Sequence, residues 1–399
     1  MWSILLFLFC FQMTIDGNEQ SKQPTVCLNM IVKDENHVIC RCLESVKPLI
    51  DYWVIVDTGS TDGTQDTIKA YMADIPGELH ERPWKNFEHN RNEALTLAKG
   101  KADYVLIIDA DDSLIIDADF RKPVWVYDAY RLNIQHGGTG YLRLHIIRSR
   151  LPWRWKGVLH EALVCDAPYT STILEGVTYH FGGDGARSHD PEKYLKDARV
   201  LEEALREEPD NTRYTFYLAQ SYRDAGRLED ALKWYAKREA MGGWPEEVFF
   251  SMFQQAQLKQ ALEYPIDDVI AAYYRAHCFR PHRTEPVYFL SEIFSQQGKH
   301  PMAYSLLKGF YLIPQPAAKD VLFRSRWIEE YGLSFQLSIC SYYVGHYKES
   351  LELCDLLLAN NAVPDSLRPR IEKNRSYPHE KLANLKTGQE EPYLAAVGQ

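Results

Sequence analysis

A chain of 399 residues with 45% apolar, 25% charged and 13% aromatic side chains is too long for one ordinary core, and at about 150 residues per domain it predicts two or three. The formal net charge of −10 excludes a broad nucleic-acid grip, which needs a basic face, but leaves room for an anionic ligand in a local basic pocket. Eight cysteines without CxxC or paired Cys/His spacing read as reduced, mostly buried residues, not as a disulfide or zinc framework.

The chain opens on MWSILLFLFCFQM, an apolar run too short for a bilayer span of about 20 residues and closer to the core of a signal peptide. Residues 1–23 are therefore expected to be a signal peptide or weak anchor, placing the protein on a membrane or in the secretory pathway, with the cytoplasm as the alternative.

From residue 24 short β-rich runs alternate with helical segments, the pattern of α/β units. TVCLNMIV and YWVIVD are continuous apolar strands suited to a sheet covered on both faces, separated by a helical segment in HVICRCLESVKPLI. TGSTDGTQDTIKAYM supplies turn residues and then a second helix, residues 86–99 a third, and YVLIID the next strand. Three successive strands end in acidic residues: KDE at 33–35, Asp57, and DADD at 109–112. In open α/β sheets ligands bind beyond the carboxyl ends of the strands, so Asp34, Glu35, Asp57, Asp109 and Asp111 are predicted to share one crevice. Solvated turns account for one such end more easily than for three. Hard divalent cations take carboxylate oxygens and complete their shell with substrate phosphates, so the DADD block suits a metal–nucleotide complex.

Beyond residue 119 the pattern becomes antiparallel, with VWVYDAYRLNI and GYLRLHIIRS flanking a QHGGT turn, then WRWKGVLHEALV and ILEGVTYHFGG as short strands carrying His160, Glu161 and His180. Past residue 188 the signal is helical. Leu218, Ala219, Tyr222, Gly226, Ala231 and Tyr235 are spaced as in a tetratricopeptide helix pair, and Leu290, Phe294, Gly298, Ala303 and Leu307 repeat the frame. Gly345, Tyr347 and Cys354 mark a third copy, with 245–281 degenerate. Such units bury their apolar faces by stacking, which predicts an all-α solenoid over 189–378 and a loose polar tail over 379–399.

LNMIVKDE, CLESVKPLIDYWVIVDTGSTDGT, FEHNRNEAL and LIIDADD, in this order, resemble family 2 glycosyltransferases of the GT-A fold. The resemblance covers roughly residues 24–185 and implies a Rossmann-like mixed sheet followed by tetratricopeptide-like repeats. It implies that Asp57 bonds the nucleobase, that Glu35 with Asp34 beside it faces the ribose, and that Arg91 reaches the diphosphate. It also implies that Asp109 lies near ribose and metal, while Asp111 ligates Mn²⁺ or Mg²⁺. His180 resembles the late histidine that closes the metal shell. Asp112 stands where relatives often carry Glu. In GVLHEAL the resemblance gives Glu161 the role of catalytic base and His160 a contact with diphosphate or metal. Trp153 and Trp155 are read as a sugar-stacking wall or as core.

The activity so implied is metal-dependent transfer of a sugar, with UDP as the expected carrier, to a hydroxyl on a glycan, lipid or protein. The repeats would aid acceptor or partner binding, and no nucleic acid is expected. The alternative is a catalytically silent GT-A platform carrying a peptide-binding scaffold. A nucleotidyltransferase is disfavoured because no Gly-rich phosphate cradle such as GxxxxGK[ST] occurs.

Overall fold

The computed structural model describes residues 23–136, 139–314 and 320–387. The apolar N-terminal segment lies outside these, and no helix among the described residues is long and apolar enough to cross a membrane.

The N-terminal half is built on an eight-stranded mixed sheet of order β3-β2-β1-β4-β7-β6-β10-β5. β1 (Val26–Val32), β2 (Tyr52–Asp57), β3 (Gly77–Glu81) and β4 (Tyr104–Ile107) run parallel. β5 (Ser113–Ile116) pairs at the far edge with β10 (Ser171–His180), and β6 (Ala129–His136) and β7 (Thr139–Arg148) form the expected hairpin. Because β7 is antiparallel to β4, the start of β7 lies at the same sheet edge as the ends of β1, β2 and β4.

Helices α1 (Ile39–Val46) and α2 (Thr64–Tyr71) cover one face, burying Ile39, Cys42, Leu43, Val46 and Ile68 against Leu28, Met30, Ile55 and Leu106. On the other face α3 (Phe87–Ala98) packs Leu95 and Ala98 on Cys27, Val54 and Val105. Both faces are covered, which is why these strands read as unbroken apolar runs instead of alternating ones. The short hairpin of β8 (Trp153–Lys156) and β9 (Ala162–Cys165) packs on the α3 side. His160 and Glu161 sit in the loop joining β8 to β9, not on a strand as the alternating pattern suggested.

From Lys193 the chain is helical: α4 (Lys193–Glu207), α5 (Thr212–Asp224), α6 (Leu228–Ala240), α7 (Pro245–Ala261), α8 (Ile266–Phe279), α9 (Thr284–Gln296), α10 (His300–Phe310), α11 (Leu333–Tyr343), α12 (Tyr347–Ala359) and α13 (Arg368–Thr387). Each packs on the next in the chain. The first helix of three pairs ends at a glycine in the left-handed region, Gly226, Gly298 and Gly345, and the following N–H reaches back five residues to the helix, as in Arg227 to Tyr222 (2.8 Å). The stretch 245–281, degenerate in sequence, is a fourth such pair. Glu263 takes the glycine's place at φ 55°, and the Tyr264 N–H closes the motif on Lys259 O at 3.0 Å. Without its glycine the repeat hides from a pattern search. The last helix also continues to Thr387, nine residues past the expected end of the repeats at Pro378.

Candidate active site

The mouth is assembled at the carboxyl edge of the sheet. Asp57, 1% exposed at the end of β2, accepts on Oδ1 from the N–H groups of Gly59 and Ser60 (both 2.8 Å) and from Gln65 Nε2 (3.0 Å). Its Oδ2 is buried with no hydrogen-bond partner. A carboxylate oxygen shut away from water without a donor is costly, so Oδ2 stands out as an unmet acceptor at the end of β2.

One strand over, β1 hands on to Asp34 and Glu35. Asp34 adopts φ 56°, donates its N–H to Ser60 Oγ (2.8 Å) and accepts the Thr61 N–H on Oδ1 (2.7 Å). One of its oxygens is therefore spent on holding the loop after β2. Glu35 accepts the Ala186 N–H at 3.2 and 3.3 Å, and burial, with Asp111 adding to it, pushes its carboxyl up to about 7.

Beyond β4 the DADD block divides its work. Burial alone would raise Asp109, but Arg91 and Arg143 outweigh it and hold the group below its ordinary value. Asp111 accepts the Gly185 N–H on Oδ2 (3.3 Å), and burial and then Asp109 push it upward. Asp112, 2% exposed, is taken up by the Tyr179 hydroxyl and the Gly182 N–H (2.9 Å), and burial lifts it to about 7. Asp112 is thus a fastener for the chain after β10. That chain passes so close that a Cβ on Gly182 would stand 1.8 Å from the Asp111 carbonyl oxygen, and one on Gly185 2.8 Å from its Oδ2. Only glycine permits the approach.

Arg91, on α3, bridges the two sides of the mouth. Its Nη2 donates to Asp109 Oδ1 (2.8 Å), its Nε stands 3.5 Å from Glu161 Oε2, and its guanidinium lies 5.0 Å from the Trp155 ring centre. Only 13% of the side chain is exposed, so Arg91 is engaged with protein carboxylates in this structure. Burial raises the Glu161 carboxyl, with Arg91 pulling the other way. His160, at φ 51°, stacks on Tyr217 of α5 (4.0 Å, 12°), and its carbonyl accepts from Arg213 Nη2 (2.6 Å). Burial of its ring, then Arg213, Arg187 and Lys193, bring the imidazole down to about 4, although an outer part of the residue stays exposed. Trp153 is a core residue at 8% exposure, while Trp155 faces Arg91.

His180 ends β10 at the same sheet edge, three strands from β4, and is exposed. Among the described residues no three His, Cys, Asp or Glu side chains come together to hold a metal. The residues that fit a cation are Asp109 and Asp111. They supply hard oxygen donors, and Asp111, raised first by burial and then by the Asp109 charge, is the kind of group a divalent ion would return to its charged form.

Residues 27–123 match the Glycosyl transferase family 2 model. This stretch is a family 2 glycosyl transferase domain. The chain is 26% identical over 242 residues to SunS, an SPbeta prophage-derived glycosyltransferase of Bacillus subtilis strain 168, covering 57% of this chain. It spans 56% of the length of that relative. It is also 26% identical over 302 residues to a TPR repeat-containing protein of Synechococcus elongatus, covering 70% of this chain and 73% of that one. Among solved structures BtubC from P. vanneervenii aligns at a TM-score of 0.37 and 13% identity, over 52% of this chain and 88% of that one. The matched stretch spans Asp34, Glu35, Asp57, Arg91, Asp109 and Asp111, whereas His160, Glu161 and His180 lie beyond it.

The family 2 domain's mouth also holds residues that the sequence reading passed over. Arg41 makes a two-pronged pair with Asp184 (2.6 and 2.8 Å) and bonds the Asp111 carbonyl (2.6 Å), fastening α1 to the chain after β10. Arg143 and His145 stand two apart on β7. Two polar residues at that spacing within a strand of a covered sheet were the available signal.

Proposed function

We propose that the chain is a metal-dependent glycosyltransferase that moves a sugar from a nucleoside diphosphate sugar, UDP-linked by preference, to a hydroxyl acceptor. One observation carries this reading. Glu35, Asp111, Asp109, Arg91 and Glu161 form an unbroken electrostatic run across four segments, and the unpartnered Oδ2 of Asp57 lies on β2, the strand next to the one that leads to Glu35.

In this reading Asp57 Oδ2 accepts the imide N–H of the base and Glu35 meets a ribose hydroxyl. Asp109 and Asp111 would hold Mn²⁺ or Mg²⁺, which when bound neutralises charge on the departing diphosphate. Glu161 takes the proton of the acceptor hydroxyl as its oxygen attacks the anomeric carbon. A buried carboxylate with raised proton affinity is the better acceptor. Arg91, between Asp109 and Glu161, sets the distance from donor to base. The repeats aid acceptor or partner binding, supported by the grip of Arg213 and Tyr217 on the His160 loop.

The test is a panel of nucleotide sugars incubated with the purified full chain and Mn²⁺, with and without chelator, reading released nucleoside diphosphate. Chelator-sensitive release from one or a few donors is expected. No release from any donor, acceptor extracts included, refutes the reading.

A further inference from the structure

The mouth contains one cation to which the mechanism above gives no task. Arg143 lies on β7, the strand next to β4 in the sheet. The register with β6 steps from Tyr130↔Ile146 to Arg131↔Leu144, so His145 is an extra residue, a bulge of the kind that re-aims side chains beside active sites. Arg143 Nε donates to His145 Nε2 (3.1 Å), Nη2 donates to the Tyr179 hydroxyl (3.4 Å), and the guanidinium carbon stands 5.3 Å from the centre of the Tyr179 ring.

These contacts settle the charge state around it. A guanidinium only donates, so His145 Nε2 must accept, and the imidazole is neutral with its proton on Nδ1, directed at Ile107 O (2.8 Å). Tyr179 in turn donates to Asp112. The two groups holding Arg143 are therefore uncharged. The other mouth arginines are paired: Arg91 with Asp109 and Glu161, Arg41 with Asp184, Arg187 with Asp197. Among the described residues Arg143 forms no ion pair, although Asp109 lies near enough to feel its charge. It is a pre-oriented fork, exposed at its outer part, whose charge Asp109 acts on from a distance without pairing to it.

Strand order indicates which anion it meets. Neighbouring strands are about 4.8 Å apart, so groups are laid out along the mouth in the order β2, β1, β4, β7. With the nucleoside at Asp57 and Glu35 and the cation at Asp109 and Asp111, the next group along the donor is the phosphate bearing the sugar.

We propose that Arg143, and not the already engaged Arg91, binds the sugar-bearing phosphate of the donor and receives its charge as the glycosidic bond breaks. This rests on the donor reading above. In the step, the bond from the anomeric carbon to the phosphate oxygen breaks with its electron pair passing to that oxygen. The acceptor oxygen forms the new bond and its proton goes to Glu161. The Arg143 fork matches the phosphate oxygens in a two-pronged contact.

Calorimetry on the full chain with Mn²⁺ compares nucleoside, nucleoside monophosphate and nucleoside diphosphate of whichever base the wild type prefers. Arg143→Gln is expected to weaken diphosphate binding by about 10- to 100-fold while leaving the monophosphate within about threefold, and Arg143→Lys to recover part of the loss. Donor turnover should fall with diphosphate affinity, and the melting temperature should stay within about 2 °C. Equal losses for monophosphate and diphosphate, or unchanged diphosphate binding, overturn the assignment while leaving the donor reading intact. A wild type that binds no nucleotide overturns both.

Discussion

Asp57→Asn probes the nucleoside end of the mouth with a change of one atom. Three donors converge on Oδ1, from Gly59, Ser60 and Gln65, so the amide oxygen is held at that position and the new NH₂ is forced into the place of Oδ2. For the fold the effects oppose each other. Three hydrogen bonds lose their charge, about 1 kcal/mol each, and a buried charge that costs several kcal/mol is removed, so net stability moves by about 1–2 kcal/mol either way. For the ligand they do not. The base N–H loses a charged acceptor and meets a donor, a loss of about 1.5–3 kcal/mol, or about 10- to 150-fold in Kd. Titration calorimetry with UDP and Mn²⁺, alongside a melting curve, reads both quantities. An Asp57→Asn protein that melts normally and binds UDP within about threefold of wild type would refute the nucleobase role of Oδ2.

Glu161→Gln should cost at least about 10²-fold in kcat with donor affinity little changed, measured by steady-state transfer once an acceptor is found. Glu263→Gly should stabilise the repeat region by about 1 kcal/mol in urea unfolding, since a non-glycine residue in the left-handed region costs about 1–2 kcal/mol. Asp320 is buried, which would raise its carboxyl, but Arg280, His282 and Arg283 bring it down from 3.8 to about 2. A depressed carboxyl contributes stability that is complete above about pH 4 and is lost as pH falls through about 2. Asp320→Asn should therefore lose about 2 kcal/mol relative to wild type at pH 5, with the gap closing towards pH 2 in acid-unfolding curves.

Much of this molecule was legible because its signals are local. A covered parallel strand must be apolar throughout, and a ligand edge must be polar, so LNMIVKDE, YWVIVD and LIIDADD disclosed both the sheet and the crevice. Helix pairs closed by Gly226, Gly298 and Gly345 disclosed themselves by that glycine. What escaped was set by tertiary context. β3 has a single large apolar residue, Leu79, and is a strand because β2 offers it an edge. β5 is four residues long and follows directly on DADD, where a turn is the natural reading. Asp112 looked interchangeable with its neighbours until Tyr179 and Gly182 gave it partners. The resemblance gave Arg91 a diphosphate to reach, but its approach to Glu161 stayed hidden because it depends on a loop 70 residues downstream, which no spacing within α3 encodes.

The stack of His160 on Tyr217 and the hold of Arg213 on the His160 carbonyl bear on how such a chain can be rearranged over time. The residue beside Glu161 is propped in a left-handed twist by a helix on the far side of the domain boundary. A cut at residue 188 would take away that prop and let the loop relax. A borrowed repeat array would restore it only if it brought its own aromatic ring and arginine to the same spot. The backbone beside Glu161 is thus held from outside its own half, by one ring and one guanidinium of α5.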